Sequence, residues 1–434
     1  MLKEITPALR HNRYSNMKFL HTADLHLDSP LHGLERYPGA PVARIRTATR
    51  QALERLVDLA IAEEVSFVLI AGDIYDGDWK DYNTGLYFAA QMSRLRDSEI
   101  RVFLISGNHD AASQISKTLR LPENVHTFSH RRPESVEVDQ LGVVVHGQSF
   151  AKREMLENIS AHYPAAIEGL FNIGMLHTSA TGRPGHENYA PCSVEELVSK
   201  GYHYWALGHV HAREILRENP WIVFPGNTQG RQIRESGVKG ASLVTVEDFQ
   251  VVSVEHRAAD VLRWYLCEVD CAEARNGDDV MHLVRNAMTR QIDDNGDLPL
   301  ALRIILTGAC QAHNLLCAEP EKWVAEIRNA ANDLRDVWVE KVKFATRHQQ
   351  ALNPILGRDD PLARLVRTID QLGMRPEAAG EFLSAFDDLK RKLPPELRDG
   401  DQLRAFSDPE RQRQVVEDVR HLLLPRLLET TEAQ

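Results

Sequence analysis

Four short apolar runs recur along the first half of the chain: Lys18-Phe19-Leu20-His21-Thr22-Ala23, Phe67-Val68-Leu69-Ile70-Ala71, Val102-Phe103-Leu104-Ile105-Ser106 and Ile173-Gly174-Met175-Leu176. They carry little polar alternation, which predicts strands covered on both faces. From Val42 to Val65 the spacing changes: Ile45, Ala48, Leu53, Leu56, Val57 and Ile61 fall on one helical face and predict an amphipathic helix. Further on the pattern turns strand-rich. Ser135–Val138 and Gly142–His146 read as a hairpin around Asp139-Gln140, followed by strands at Trp221–Pro225, Ala241–Val246 and Val251–His256. Strands alternating with helices predict a layered α/β domain from Met17 to about His256.

A second, smaller α/β unit is predicted over residues 258–347. Its strands are Trp264–Val269, Leu300–Leu306 and Val337–Phe344, and its helices run near Asp278–Gln291 and Pro320–Leu334. Residues 348–434 read as a charged helical region punctuated by Pro376, Pro394-Pro395 and Pro409. Two segments there have amphipathic spacing: Leu362, Leu365, Val366, Ile369 and Leu372, then Val415, Val416, Val419, Leu422 and Leu423. Either packs on its own domain or docks on a partner. Residues 1–16 are polar and patternless, and read as a disordered extension.

Composition narrows the class. With 434 residues the chain can bury a sizeable core in two or three domains. Its five cysteines form no C-x-x-C pair, which predicts reduced thiols in a cytoplasmic protein. No stretch approaches a membrane-spanning length, and no G-x-x-x-x-G-K-[ST] loop is present to bind ATP. The formal charge of −11 argues against a broad nucleic-acid-binding face. Bound cations would alter the local field without altering that total.

The chemistry lies where the apolar runs end. Asp24-x-His26, Gly72-Asp73-x-x-Asp76, Gly107-Asn108-His109-Asp110, His177 and Gly208-His209-x-His211 follow one another in this order. Carboxylates, imidazoles and one carboxamide make the mixed oxygen and nitrogen set that suits two divalent metals sharing a carboxylate. Carboxyl ends of strands are where open α/β folds build their sites.

In these motifs the chain resembles the calcineurin-like metallophosphoesterases over residues 17–257, which implies an α/β fold in which a layered β-sandwich is flanked by helices. Within them it is most similar to SbcD-type DNA repair exonucleases of the YhaO-like branch. That closer resemblance rests on Thr22–Pro30, Ala190-Pro191-Cys192-Ser193, Tyr204–His211 and Trp221–Asn227. The resemblance implies that Asp73 bridges the metals. It implies Asp24, His26 and His211 in one shell, and Asn108, His177 and His209 in the other. Such shells suit Mn²⁺ and tolerate Fe²⁺ or Zn²⁺. His109, one residue from a ligand, is placed to contact phosphate or protonate the leaving group, with Asp76 orienting it. Asp76 and Asp110 also read as helix caps or loop acids.

Other polar residues carry weaker signals. Arg213, Arg217, Arg231, Arg234 and Lys239, with Lys152, Arg153 and Arg183, form a candidate basic rim. Arg231 and Arg234 are favoured as substrate contacts because they follow the Pro225-Gly226-Asn227 turn. His186, on a glycine-rich loop after His177, is a further candidate. His21, His146 and His203 lie on or beside strands and read as satisfied core or rim groups. Asp28 reads as a loop acid, and Tyr204-Trp205 as strand core.

The resemblance implies a two-metal DNA exonuclease, with DNA as substrate, an SMC-like coiled-coil ATPase as partner, and pairing of two copies through the nuclease domain. The alternative is a small-molecule or nucleotide phosphoesterase using the same metals, against which stand the residues beyond His256. A non-catalytic scaffold has no physical need for a complete ligand set.

Overall fold

The computed structural model describes residues 16–29, 39–76, 82–112, 119–180, 189–296, 298–334 and 336–348, with residues 361, 363–365, 367 and 368. The chain divides into two compact units near Tyr265, with Leu298–Ala301 returning to the first.

The first unit is built on two six-stranded sheets. In one, β1 (Met17–Thr22), β2 (Phe67–Ala71), β3 (Arg101–Ile105) and β4 (Val125–Thr127) run parallel. On the far side of β1, β11 (Gly240–Glu247) and β12 (Gln250–Ala258) complete that sheet as antiparallel strands. The other sheet comprises β5 (Glu134–Val138), β6 (Val143–Gly147), β7 (Phe171–His177), β8 (Tyr204–Gly208), β9 (Glu214–Glu218) and β10 (Trp221–Phe224). Its spatial order is β5-β6-β7-β8-β10-β9, and β6, β7, β8 and β10 are parallel.

The apolar runs acquire their meaning here, because successive side chains of a strand point to opposite faces. Phe19, Phe67, Leu69, Phe103 and Ile105 face the second sheet's Phe171, Ile173, Met175, Tyr204 and Ala206 in one core. Their neighbours Leu20, Val68, Ile70, Val102 and Leu104 pack outward beneath two helices, α1 (Val42–Ala62) and α2 (Tyr82–Asp97). On the opposite outer face Leu176, Trp205, Leu207, Ile222 and Phe224 pack with Tyr163, Leu197 and Tyr202. Helix, sheet, sheet and helix therefore form layers. Each fully buried aromatic or aliphatic side chain contributes roughly 1.5–3 kcal/mol.

α1 stops at Ala62 rather than continuing to Val65 as the periodicity predicts. Glu64 adopts φ +51°, while Val65 N–H donates to Ala60 O and Glu64 N–H to Ile61 O, closing the helix with two reversed bonds. α2 lies in a stretch whose helical pattern is weaker than that of α1. Phe88, Met92 and Leu95, at helical spacing and buried, are the signal for it.

The second unit carries the sheet order β13-β14-β16, with β13 at Arg263–Asp270, β14 at Leu300–Thr307 and β16 at Val337–Phe344. The helices Gly277–Asn295 and Pro320–Asn332 pack together, the latter against β16. A two-stranded parallel pair, β15 (Ala309–Cys310) and β17 (Arg347–His348), completes it. All five cysteines are free thiols. No helix among the described residues is long and apolar enough to cross a membrane. Residues 1–15 and all of the two amphipathic C-terminal stripes except Leu365 lie outside the described residues.

Candidate metal centre

β1, β2, β3, β7 and β8 end on one edge of the two sheets, and the motif loops leave from those ends. Glycine lets them meet. A Cβ on Gly208 would lie 1.9 Å from Ala71 O, and one on Gly107 would lie 2.3 Å from Asp73 Oδ1 and 2.7 Å from His177 Cε1. The first and second loops are laced by Asp24 N–H to Gly72 O (3.0 Å), His26 N–H to Asp73 O (3.0 Å) and Leu27 N–H to Ile74 O (2.8 Å). Asp24, His26, Asp73 and His209 have φ of +53°, +42°, +54° and +101°. Such left-handed backbone at non-glycine residues costs on the order of 1–3 kcal/mol each and persists where surrounding structure enforces it, commonly at functional sites.

The donors converge in three overlapping groups. Asp24, His26 and His211 form one, Asp73, His177 and His209 another, and His26, Asp73 and His109 connect them, with ligand atoms in each group within 4.8 Å of one another. Asp73 is common to two groups. Its Oδ2 stands 3.4 Å from His177 Nε2 and 4.0 Å from His26 Nε2, while Oδ1 accepts from His109 N–H at 2.9 Å. Asn108 Oδ1 lies 3.0 Å from His177 Nε2. Both oxygens of Asp24 accept from His209 N–H, at 3.2 and 3.0 Å.

This arrangement fits divalent cations. His177 Nδ1 lies 2.9 Å from Ala71 O, a carbonyl that can only accept, so that nitrogen carries a proton. In the neutral ring, Nε2 then presents a lone pair to two more acceptors, Asp73 Oδ2 and Asn108 Oδ1. Three acceptors facing one another in a buried place call for positive charge. The same demand appears in the titration of the ring: burial pushes His177 down, but Asp73 and Asp24 raise it to about 9. Burial drives the Asp73 carboxyl upward, yet the surrounding imidazoles hold it well below the usual carboxylate range. Burial raises Asp24 and keeps His26 neutral, Arg231 and His211 reinforcing the latter. His26 Nε2 and His211 Nε2 are 3.1 Å apart, as two ligands of one ion can be.

His109 stands beside this set. Its Nδ1 is 2.9 Å from Asp76 Oδ1, and the ring packs edge-on to His26 at 4.9 Å between centroids. Burial lowers His109, but the Asp76 hydrogen bond and the Asp73 charge outweigh it and raise the ring above its ordinary value. Asp110 takes a different part. Its buried carboxylate accepts from Ile74 and Tyr75 N–H at 2.9 and 3.0 Å, and from Gly107 N–H at 3.1 Å. It ties the Asp73 loop to the Asn108 loop, and burial together with Asp73 pushes its carboxyl up to about 7.

The expected substrate contacts sit differently. Arg231 is inward-facing, with a side chain 15% exposed, and its guanidinium lies 3.6 Å from Asp76 Oδ2 and 3.0 Å from Glu235 Oε1. Two carboxylates already engage it, so it does not stand on a phosphate-binding rim. Lys239 is likewise buried, donating to His211 O at 2.9 Å. Arg213 donates to Val254 O and Arg217 to Asn219 O. Arg234 is exposed, and His186 and Arg183 lie outside the described residues. Glu235 lies in a three-residue turn, Ile233–Glu235, and no local sequence pattern marks it. Asp28 is a loop acid, paired with Arg50 and Thr84. His21, His146 and His203 hydrogen-bond within the fold, to Tyr204 and Leu207, to Ser135 and Asn172, and to Asn172.

Residues 17–213 match the calcineurin-like phosphoesterase family, and residues 264–347 match the middle domain of the metallophosphoesterase YhaO. The chain is 35% identical to the metallophosphoesterase YhaO of Bacillus subtilis (strain 168) over 347 residues, 78% of this chain and 84% of that protein. The chain belongs to the YhaO-type calcineurin-like metallophosphoesterases. More distant family likeness extends to the DNA double-strand break repair protein Mre11 of two archaea. That of Methanopyrus kandleri is 28% identical over 236 residues, 49% of each chain. That of Sulfurisphaera tokodaii is 22% identical over 334 residues, 73% of this chain and 79% of its own. The metallophosphoesterase family consists of metal-dependent phosphoester hydrolases, and the donor groups described above are where this member could hold its ions.

Proposed function

We propose that the chain is a dinuclear-metal phosphodiesterase that hydrolyses DNA from its ends in DNA repair, with Mn²⁺ as the favoured ion. The observation that carries the chemistry is Asp73 standing between the two sets of imidazoles with the His109–Asp76 pair alongside. When bound, two divalent ions would supply Lewis-acid charge at the phosphate and activate water. Asp24, His26 and His211 would hold one, Asn108, His177 and His209 the other, with Asp73 shared. His109, held at Nδ1 by Asp76 and raised above its ordinary value, can give a proton to the leaving oxygen.

The choice of DNA rests on the likeness to relatives named for double-strand break repair and on the second unit, which a small phosphate ester would not require. By the same resemblance we propose an SMC-like coiled-coil ATPase as partner and pairing of two copies through the first unit.

The test offers the purified protein and Mn²⁺ an end-labelled duplex, a single-stranded circle and p-nitrophenyl phosphate esters in parallel. Shortening of the duplex from its ends, with the monoester left nearly untouched, is expected. Rapid monoester hydrolysis beside an intact duplex would reassign the chain to small substrates.

A further inference from the structure

His211 is held from behind. Its Nδ1 lies 2.8 Å from Glu235 Oε1, on the far side of the ring from the Nε2 that meets His26. A carboxylate accepts only, so it fixes the proton on Nδ1 and leaves the Nε2 lone pair facing Asp24 and His26. Glu235 is 6% exposed and its second oxygen is also occupied. Oε2 accepts from Arg231 N–H at 2.8 Å and from Asn227 Nδ2 at 3.0 Å. Arg231 then reaches Asp76, the partner of His109. One arginine thus lies between two histidine–carboxylate pairs, one at a candidate metal ligand and one at the candidate proton donor.

We propose that Glu235 is a positioning residue that sets the tautomer and orientation of His211 for metal binding, with Arg231 as the counter-charge between the Glu235–His211 and Asp76–His109 pairs. The inference rests on the two-metal reading above. A carboxylate behind a ligand imidazole does more than orient it, because negative charge on Nδ1–H makes Nε2 a stronger donor, and loss of such a partner weakens metal binding by roughly 10–100-fold. Arg231 acts with opposite sign on the same ion: its positive charge stands near the site, and without Glu235 its nearest compensating carboxylate would be Asp76 alone. The two residues are therefore distinguishable by more than loss of activity.

The test is titration of the full-length protein with Mn²⁺ alone, followed by calorimetry and by the electron paramagnetic resonance signal of free ion. Wild type should take up two ions. Glu235→Gln keeps an oxygen near His211 but removes the charge, and it should lower the affinity of one ion by roughly 10–100-fold while the other is unchanged. Arg231→Met should leave the affinity of that same ion equal or higher. Two ions bound by Glu235→Gln as tightly as by wild type would overturn the assignment of Glu235. An equal loss in Arg231→Met would overturn the electrostatic division and reduce the network to scaffolding. A wild type that binds no Mn²⁺ would instead sink the two-metal reading, and with it this inference. Circular dichroism of the ion-free variants guards against misfolding. If Glu235→Gln does not fold, the Arg231→Met titration still decides, since a scaffold role requires loss there.

Discussion

His109 Nδ1 lies 2.9 Å from Asp76 Oδ1, although Asp76 follows β2 and His109 lies in the short helix Asn108–Ala112 after β3. Asp76 holds the ring at Nδ1, and His109 lies outside both of the proposed ligand sets. His109→Ala should therefore keep both ions, while phosphoester turnover falls by roughly 10²–10⁴. Metal analysis beside single-turnover rates checks this. Loss of an ion in the variant would make His109 a ligand and displace Asn108 from that role.

Asp110 holds three backbone N–H groups that no other described hydrogen bond would satisfy in its absence. Each buried donor left unpaired costs about 1–3 kcal/mol. Asp110→Ala should lower the thermal midpoint by roughly 5–15 °C, and metal affinity should fall because the Asp73 and Asn108 loops separate. Asp110→Asn retains one accepting oxygen and should lose less. Differential scanning calorimetry on the ion-free proteins decides it, and an unshifted midpoint in Asp110→Ala would remove the lacing role.

His21 is fully buried between Tyr204 OH at 2.9 Å and Leu207 O at 3.1 Å, and burial, opposed only by the Leu207 hydrogen bond, lowers it to about 3. Its folded value lies below the unfolded one of about 6.5, so the unfolded chain takes up the proton more readily. The stabilisation is complete above pH ~6.5 and is lost as pH falls toward 3, by up to about 1.4 kcal/mol per pH unit from this group. Urea unfolding of wild type and His21→Asn at pH 7 and pH 5 should show the variant to be the less pH-dependent. Equal pH dependence in the two would mean that His21 is not what titrates.

The boundary for removing the C-terminal region is set by β17. Arg347 and His348 pair with Ala309 and Cys310, and His313 Nδ1 lies 3.0 Å from Thr346 Oγ1. A chain ending at Phe344 would lose these bonds, whereas one ending at His348 keeps them. The longer truncation should retain metal uptake and hydrolysis of a small diester; under the proposed partnership with an SMC-like ATPase, it should fail to co-purify with that partner if the amphipathic stripes after Pro361 carry the contact. Continued co-purification would place the contact elsewhere.

Much of this was legible in the chain itself. Unbroken apolar runs specify strands covered on both sides, and glycine followed by a ligand-type residue at their ends marks loops that must approach closely. Both are local properties: a strand's burial shows in its own side chains, and a missing Cβ shows in its own letter. The order Asp24, His26, Asp73, Asn108, His177, His209, His211 could therefore be read without coordinates. Which carboxylate supports which imidazole could not. The sequence places Arg231 on a candidate basic rim facing phosphate, but only the packing of its turn reveals that it faces inward to Asp76 and Glu235. Glu235, 24 positions from His211 and in no motif, is invisible until the chain folds back upon itself. Asp110 likewise reads as a loop acid until Ile74, Tyr75 and Gly107 present their N–H groups to it. Residue type determines which chemistry a side chain can perform, whereas its partners, and hence its charge state and direction, depend on residues distant in sequence that only the tertiary structure brings within a few ångströms.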